Sequence, residues 1–403
     1  MAGLYIHIPF CSQKCIYCDF MSGTNLSLRT EFVDALIAEM DLYPDFFNSD
    51  PIRTVYFGGG TPSLLSVVEL QRIYEAISQR WDVSGVEEFT IECNPDDLTD
   101  EYLLQLRSLP INRLSIGVQS FCDDELHWLN RRHTAQEAIN AVQRAQAVGF
   151  QNITIDLMFA LPVQTIESLN YSINRALELN VQHISAYSLM FEPDSKITKL
   201  MELNRLQPLD EDIAADMFEL LSARLISAGY EQYEISNYAK PNYHSRHNSG
   251  YWHGMRYLGL GPSAHSFDGE KRWSNIAHTI KYNAQFQSSD FLHNDVTQSR
   301  DTACRVRTSE ASQKSNSQPL IQVEYLTPDE RFNELVFTAL RTKIGVDLKD
   351  LRLRFGDICC DRLLHQAQKY IDVGKMHIFN DRLALTHSGI YISDAIISDF
   401  MIV

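Results

Sequence analysis

Along the first 235 residues, short apolar runs alternate with longer amphipathic stretches. Leu4 to Ile8, Thr54 to Phe57, Glu88 to Cys93, Arg113 to Val118, Asn152 to Met158 and His183 to Leu189 have the length and composition of strands. Between them apolar residues recur at helical spacing. Phe32, Val33, Leu36, Ile37 and Met40 share one stripe, and Ile213, Met217, Leu220 and Leu221 share another after the last strand. Strands separated by helices pair in parallel, because each crossover carries the chain back over the sheet. Six such units fall short of the eight of a closed barrel. The pattern predicts an α/β fold, an open partial (β/α)6 barrel over residues 1–235.

The pattern then changes. Gln232 to Gly261 is rich in Tyr, His and Asn and has little periodicity, so residues 236–284 read as a connecting region. Residues 285–325, Ser/Gln/Asn-rich as far as Pro319, are expected to form a flexible polar insert. Thr327-Pro328-Asp329-Glu330 carries the chemistry of a helix start, and Phe332, Leu335, Val336, Ala339 and Leu340 supply its apolar stripe. A further helix and a hairpin over Met376 to Leu385, turning at Asn380-Asp381, complete a small C-terminal, mainly helical domain of winged-helix-like kind over residues 326–403. A structural cap is its expected role.

Charge narrows the partners. With 52 acidic against 35 basic residues the chain carries a net charge of -17. A field of that sign repels phosphate backbones, so nucleic acid is not an expected partner. It also opposes a purely electrostatic attachment to anionic lipid. No basic start leads into a long apolar run, and no stretch approaches the roughly 20 apolar residues of a spanning helix. A cytoplasmic protein is expected. Three of the eight cysteines crowd into positions 11 to 18, which in a reducing compartment reads as metal ligation rather than a disulfide framework.

Those three, Cys11, Cys15 and Cys18, form C-x3-C-x2-C just after the first predicted strand. Three thiolates on one short loop hold three irons of a [4Fe–4S] cluster and leave the fourth without a protein ligand. S-adenosylmethionine (SAM) can chelate an open iron through its amino and carboxylate groups, and an electron passed into its sulfonium releases a 5′-deoxyadenosyl radical. The alternative is zinc, with His7 or Asp19 as a fourth ligand, but structural zinc favours C-x2-C pairs.

Gly58-Gly59-Gly60-Thr61-Pro62 follows the second strand, where bare backbone allows a ligand close approach. Side chains alternate along a strand. Glu92 therefore opposes Phe89 and Ile91, Gln119 opposes Leu114, Ile116 and Val118, and Asp156 opposes Ile153 and Ile155. If the apolar faces lie under the helices, these three polar groups converge in the barrel lumen, where burial is costly without something to bind. Together they read as a nucleoside and amino-acid pocket. Arg131 is placed to neutralise a carboxylate, or else belongs to a solvated turn.

Taken together, Tyr5-Ile-His-Ile-Pro-Phe-Cys11, the cysteine motif, the glycine run, Gly117-Val-Gln-Ser-Phe121 and Asp156-Leu-Met-Phe-Ala-Leu-Pro162 resemble the oxygen-independent coproporphyrinogen III oxidase group of the radical SAM superfamily. The likeness covers most of the chain outside the insert. It implies that Tyr5, Tyr17, Gly59, Gly60, Thr61, Glu92, Gln119, Arg131 and Asp156 contact SAM. Oxidase-type members can bind two SAM molecules, which accounts for the length of that set.

Within the group the chain is more similar to the HemW-type heme chaperones. Phe20 stands where the oxidases carry a further cysteine, only ten residues precede Cys11 where the oxidases have a long segment, and His247-Asn-Ser-Gly-Tyr251-Trp252 matches the HNxxYW motif implicated in heme binding. The resemblance makes His247 an axial ligand, with Tyr251 and Trp252 as flat apolar surface for the macrocycle. A packed histidine among aromatics is the plainer alternative.

Two readings follow. One is a carrier that passes heme to an apo-hemoprotein such as a respiratory enzyme, with an electron donor, peripheral contact at the cytoplasmic membrane and a homodimer as further expectations. The other is an enzyme that decarboxylates the propionates of coproporphyrinogen III. SAM cleavage on another substrate is a third. Phe20 and the short leader favour the carrier; the near-complete set of SAM positions weighs against it, since a pure carrier has no obvious need of them.

Overall fold

A computed structural model describes residues 1–193, 195–287 and 321–402. The expected strands form as β1 (Ala2–Ile8), β2 (Ile52–Gly59), β3 (Glu88–Cys93), β4 (Arg113–Gln119), β5 (Asn152–Phe159) and β6 (His183–Ser188). They lie side by side in chain order and pair in parallel throughout. The helices between them cover one face. Leu4, Ile6, Phe57, Ile91, Leu114, Ile153 and Ile184 point under them and are buried, against stripes such as Phe32/Leu36 and Ile73/Ile77. The fold is the partial barrel that the alternation predicts.

Residues 231–275 join the same sheet, which their weak periodicity conceals. The short β7 (Glu231–Gln232) and β8 (Asn237–Ala239) add antiparallel strands beyond β6. β9 (Arg256–Leu260) returns to the opposite edge and pairs in parallel with β1. β10 (His265–Phe267), β11 (Lys271–Asn275) and β12 (Ile321–Tyr325) extend that edge in antiparallel fashion. The polar insert falls largely on residues 288–320, outside the described residues, as does Cys304.

The C-terminal residues have their own core of Phe332, Val336, Leu351, Leu363, Leu383 and Phe400. Its first helix, Pro328–Leu340, starts on a capping box in which Thr327 and Glu330 satisfy each other's backbone N–H groups. The hairpin turns at Asn380 and Asp381, both with positive φ as a two-residue turn requires. Helices followed by a hairpin give the winged-helix order. Two backbone bonds tie this unit to the barrel: Ile235 N to Arg341 O at 3.0 Å and Lys343 N to Tyr233 O at 3.0 Å. Among the described residues no helix is long and apolar enough to cross a membrane.

The bottom of the barrel is closed by a seven-residue helix, Arg246–Trp252. Glu88, buried at the start of β3, accepts the N–H of Arg246 at 2.8 Å and of His247 at 3.0 Å. Gly3 makes room for it, since a Cβ there would lie 2.8 Å from Met255 Cε and 3.3 Å from His247 Cε1. Removing the carboxylate leaves the buried amide of His247 and the part-buried amide of Arg246 without acceptors, the buried one costing about 1–3 kcal/mol. Glu88→Ala is therefore expected to lower stability by about 1–3 kcal/mol in denaturant unfolding; a change within about 0.5 kcal/mol would show that the plug is held by something else.

Candidate functional site

The cysteine loop leaves β1 and is fastened at both ends. Cys11 N donates to Gly23 O at 3.0 Å, and Ile16 N donates to Leu129 O at 3.3 Å. Asn130, with φ of 60°, reaches back through Nδ2 to Lys14 O at 2.7 Å. The loop is thus seated on the turn that carries Arg131. Arg131 points inward: Nη1 donates to Cys15 Sγ at 3.4 Å, and Nη2 to Gly117 O at 2.6 Å and to Asn94 Oδ1. Thr61 Oγ1 donates to Cys11 Sγ at 3.5 Å. Burial pushes the Cys18 thiol up to about 11, with Cys15 and Cys11 close enough to add to the shift. Among the described residues no three His, Cys, Asp or Glu groups converge on a point suited to a single ion. A cubane cluster takes each thiolate at a different iron and leaves one iron open, which suits three cysteines on one loop, whereas structural zinc takes four closed ligands.

The lumen beside this loop is polar by alternation. Tyr56 Oη donates to Glu92 Oε1 at 2.8 Å and Gly59 N donates to Glu92 Oε2 at 3.0 Å. Gly59 has φ of +109°, which aims that N–H inward and favours glycine. Burial raises the Glu92 carboxyl to about 7, with nearby Asp156 adding to the rise; burial raises Asp156 to about 6, opposed by Ser185 and by Arg113. Gln119 arrives differently from the simple alternation. The β4–β5 register shifts between Ile116 and Gln119, and Gln119 takes φ of 69°. Its amide comes to Gly117 beside Arg131. A side chain held in that backbone region stores strain that marks functional sites.

Tyr5 stands between the upper lumen and the plug. Its ring stacks on Tyr56 at 6.1 Å and on His247 at 6.4 Å, and its hydroxyl lies 3.1 Å from His7 Nδ1. Tyr17 packs beside Ile16 in a smaller apolar cluster, near Arg131 and Cys15.

His247 lies buried in the plug helix. It is 1% exposed, and both ring nitrogens are engaged, Nδ1 with Thr54 Oγ1 and Nε2 with Tyr251 Oη, each at 2.8 Å. It also stacks on Tyr56 at 5.0 Å. An axial ligand needs a free lone pair, and in this structure both ring nitrogens of His247 are taken up by Thr54 and Tyr251, the arrangement of a packed histidine. Tyr251 and Trp252, by contrast, line a cleft of about 760 Å³ between the barrel and the C-terminal unit.

Four residues that sequence reasoning missed matter here. Arg113 is buried in the lumen, with Nη2 donating to Thr154 Oγ1 at 2.5 Å. Glu88 holds the plug, Tyr56 holds Glu92, and Asn94 holds Arg131. Arg113 and Glu88 share strand parity with the polar positions that were found, so the same alternation exposes them.

Residues 5–176 match the radical SAM superfamily and residues 326–392 match the HemN C-terminal domain. Coproporphyrinogen III oxidase (HemN) from Escherichia coli, described as a radical SAM enzyme, superposes with a TM-score of 0.79 over 99% of this chain and 89% of its own at 21% identity, a likeness of fold. The fold and its cysteine loop therefore define a radical SAM protein of HemN architecture. A Bacillus subtilis relative named heme chaperone HemW is 33% identical over 100% of this chain and 99% of its own length, and an Escherichia coli relative of the same name is 38% identical over 65% and 69%. The chain belongs to the HemW family. Membership implies a [4Fe–4S] cluster and SAM.

Burial, and secondarily the charge of Arg113, lowers the His247 pKa to about 3. An unfolded histidine titrates near 6.5. Between those values the unfolded chain takes up a proton that the folded one refuses, so this residue's contribution to stability is lost as pH falls from 6.5 towards 3. Glu92 and Asp156 have the opposite sign and cancel when a His247→Gln variant is compared with the parent. The parent is expected to lose stability relative to that variant by roughly 1 kcal/mol per pH unit between pH 6 and 4. Parallel stability curves would show that the folded chain accepts the proton.

Proposed function

We propose that this protein is a cytoplasmic heme carrier that takes heme into the cleft between the barrel and the C-terminal unit and passes it to apo-hemoproteins such as respiratory enzymes. The observation that carries this reading is the cleft itself, about 760 Å³ and lined by aromatic, basic and acidic side chains, including Tyr251, Trp252, Tyr257, Phe267, Arg331 and Asp19. That volume falls within the range of small-molecule sites, roughly 300–1,000 Å³. Trp252 carries a buried indole N–H with no partner, a donor left over for a ligand. Arg272, Arg354 and Arg382 are paired with Glu334, Asp350 and Asp347. Arg331 has no such partner among the described residues and suits a propionate. The names of the full-length relatives support the same reading.

In this reading residues 1–235 hold the cluster and SAM, residues 236–284 supply the plug and one cleft wall, and residues 326–403 supply the other. Cys11, Cys15 and Cys18 ligate the cluster. Tyr5, Tyr17, Gly59, Gly60, Thr61, Glu92, Gln119, Arg131 and Asp156 surround SAM. When bound, the cluster and SAM supply one-electron cleavage of the sulfonium. The chain's part is to hold the carboxylates of Glu92 and Asp156 where the cationic ligand stabilises their charge. Phe20 lines the cleft and is 60% exposed, apolar surface at the meeting of the two sites.

The test uses anaerobically reconstituted protein. It is expected to bind one heme, to transfer it to an apo-hemoprotein, and to form no protoporphyrinogen from coproporphyrinogen III with SAM and reductant. Turnover of coproporphyrinogen would overturn the carrier reading. Cys15→Ser is expected to abolish the cluster's broad visible absorbance and SAM cleavage; a variant that keeps the absorbance would remove Cys15 from the ligand set.

A further inference from the structure

Four histidines border the cleft or its floor, and their ring nitrogens are committed differently. His247 has both engaged. His7 has both engaged, since Nε2 donates to Met21 O at 2.8 Å and Nδ1 lies 3.1 Å from the Tyr5 hydroxyl. His265 lines the cleft on β10, and no hydrogen bond fixes its tautomer among the described residues. His253 is distinct. It sits at the C-terminal end of the plug helix, exposed and lining the cleft, with Nδ1 2.6 Å from the carbonyl of Ser249.

A carbonyl only accepts. Nδ1 of His253 therefore carries the proton, and Nε2 of the neutral ring carries the lone pair. A histidine that spends Nδ1–H on a backbone carbonyl and offers Nε2 has the arrangement by which proteins orient an imidazole toward a metal. Its neighbours complete the case. Trp252 precedes it, with the Arg341 guanidinium 5.1 Å from its ring, and Tyr251 packs edge-on against Tyr257 at 4.6 Å. These rings give a macrocycle apolar walls beside an iron-binding nitrogen.

We infer that His253, through Nε2, is the axial ligand of the heme iron in this cleft, and that His247 serves by packing the helix that carries it. The inference rests on the proposal that the cleft is the heme site. The Ser249 carbonyl that fixes the tautomer lies within the plug helix, so the ligand is oriented by the element that Glu88 holds in the barrel.

The experiment titrates ferric heme into the reconstituted full-length protein and into His253→Ala, His247→Gln and His265→Ala, recording the heme absorbance beside that of the cluster. In His253→Ala the histidine-ligated Soret band is expected to shift and affinity to fall tenfold or more, with cluster absorbance unchanged. Free imidazole added to that variant is expected to restore the band, a rescue that a merely structural role would not give. His247→Gln and His265→Ala are expected to keep the parental spectrum. An unchanged band and affinity in His253→Ala would overturn the inference, as would loss of the band in His265→Ala alone. A parent protein that binds no heme would instead overturn the heme-carrier reading, so the two failures are distinct.

Discussion

Glu88 lies inside the barrel and receives the first amides of the plug helix on its two carboxylate oxygens. A sheet of six β/α units does not close on itself, so its lower lumen needs a filler. The helix Arg246–Trp252 provides one, but burying a helix N-terminus requires acceptors for its free N–H groups. A carboxylate is the strongest acceptor available there, and the helix dipole in turn favours its negative charge. Once seated, the helix carries His247 under Tyr56 and Tyr5, and those two rings form the floor of the upper lumen.

What stands on that floor is a set of charges that would be unstable alone. Arg113 is almost fully buried and donates to two threonine hydroxyls, Thr154 at 2.5 Å and Thr90 at 3.5 Å. Its guanidinium favours the ionised forms of Glu92 and Asp156 above it, while burial opposes them. The two carboxyls are thereby held close to neutrality in pH, with values of about 7 and about 6. Such groups gain most when a cation enters, because the ligand supplies the counter-charge that the fold withholds.

The barrel was legible because its signal is local and periodic. Strand alternation separates Phe89 and Ile91 from Glu92, and helical stripes separate core from surface, without knowledge of the tertiary fold. At Gln119 a register shift and a positive φ interrupt the alternation, yet the side chain still comes to Gly117 beside Arg131. The signal failed for β9, whose residues Arg256 to Leu260 find their partner in β1, more than 200 residues earlier in the chain. The HNxxYW stretch was found by resemblance, but its geometry was not readable from the motif. Only the fold decides that His247 turns into the barrel while Trp252 meets the cleft.

The two sites share a wall. Tyr5 stacks on the plug through His247, bonds His7, and also lines the cleft; His7 bonds the carbonyl of Met21, just beyond the cysteine loop, and Met21 lines the cleft as well. In the proposed reading, a ligand above Tyr5 and a macrocycle beside it press on the same two rings. Coupling between sites needs such a shared element with different contacts in each state. Here the element is rigid at one end, where the plug is buried, and open at the other, where Phe20 and His253 are exposed. The shared wall lies at the end of the cleft nearest the cysteine loop, where Asp19, Phe20 and Met21 follow Cys18 and line the cleft.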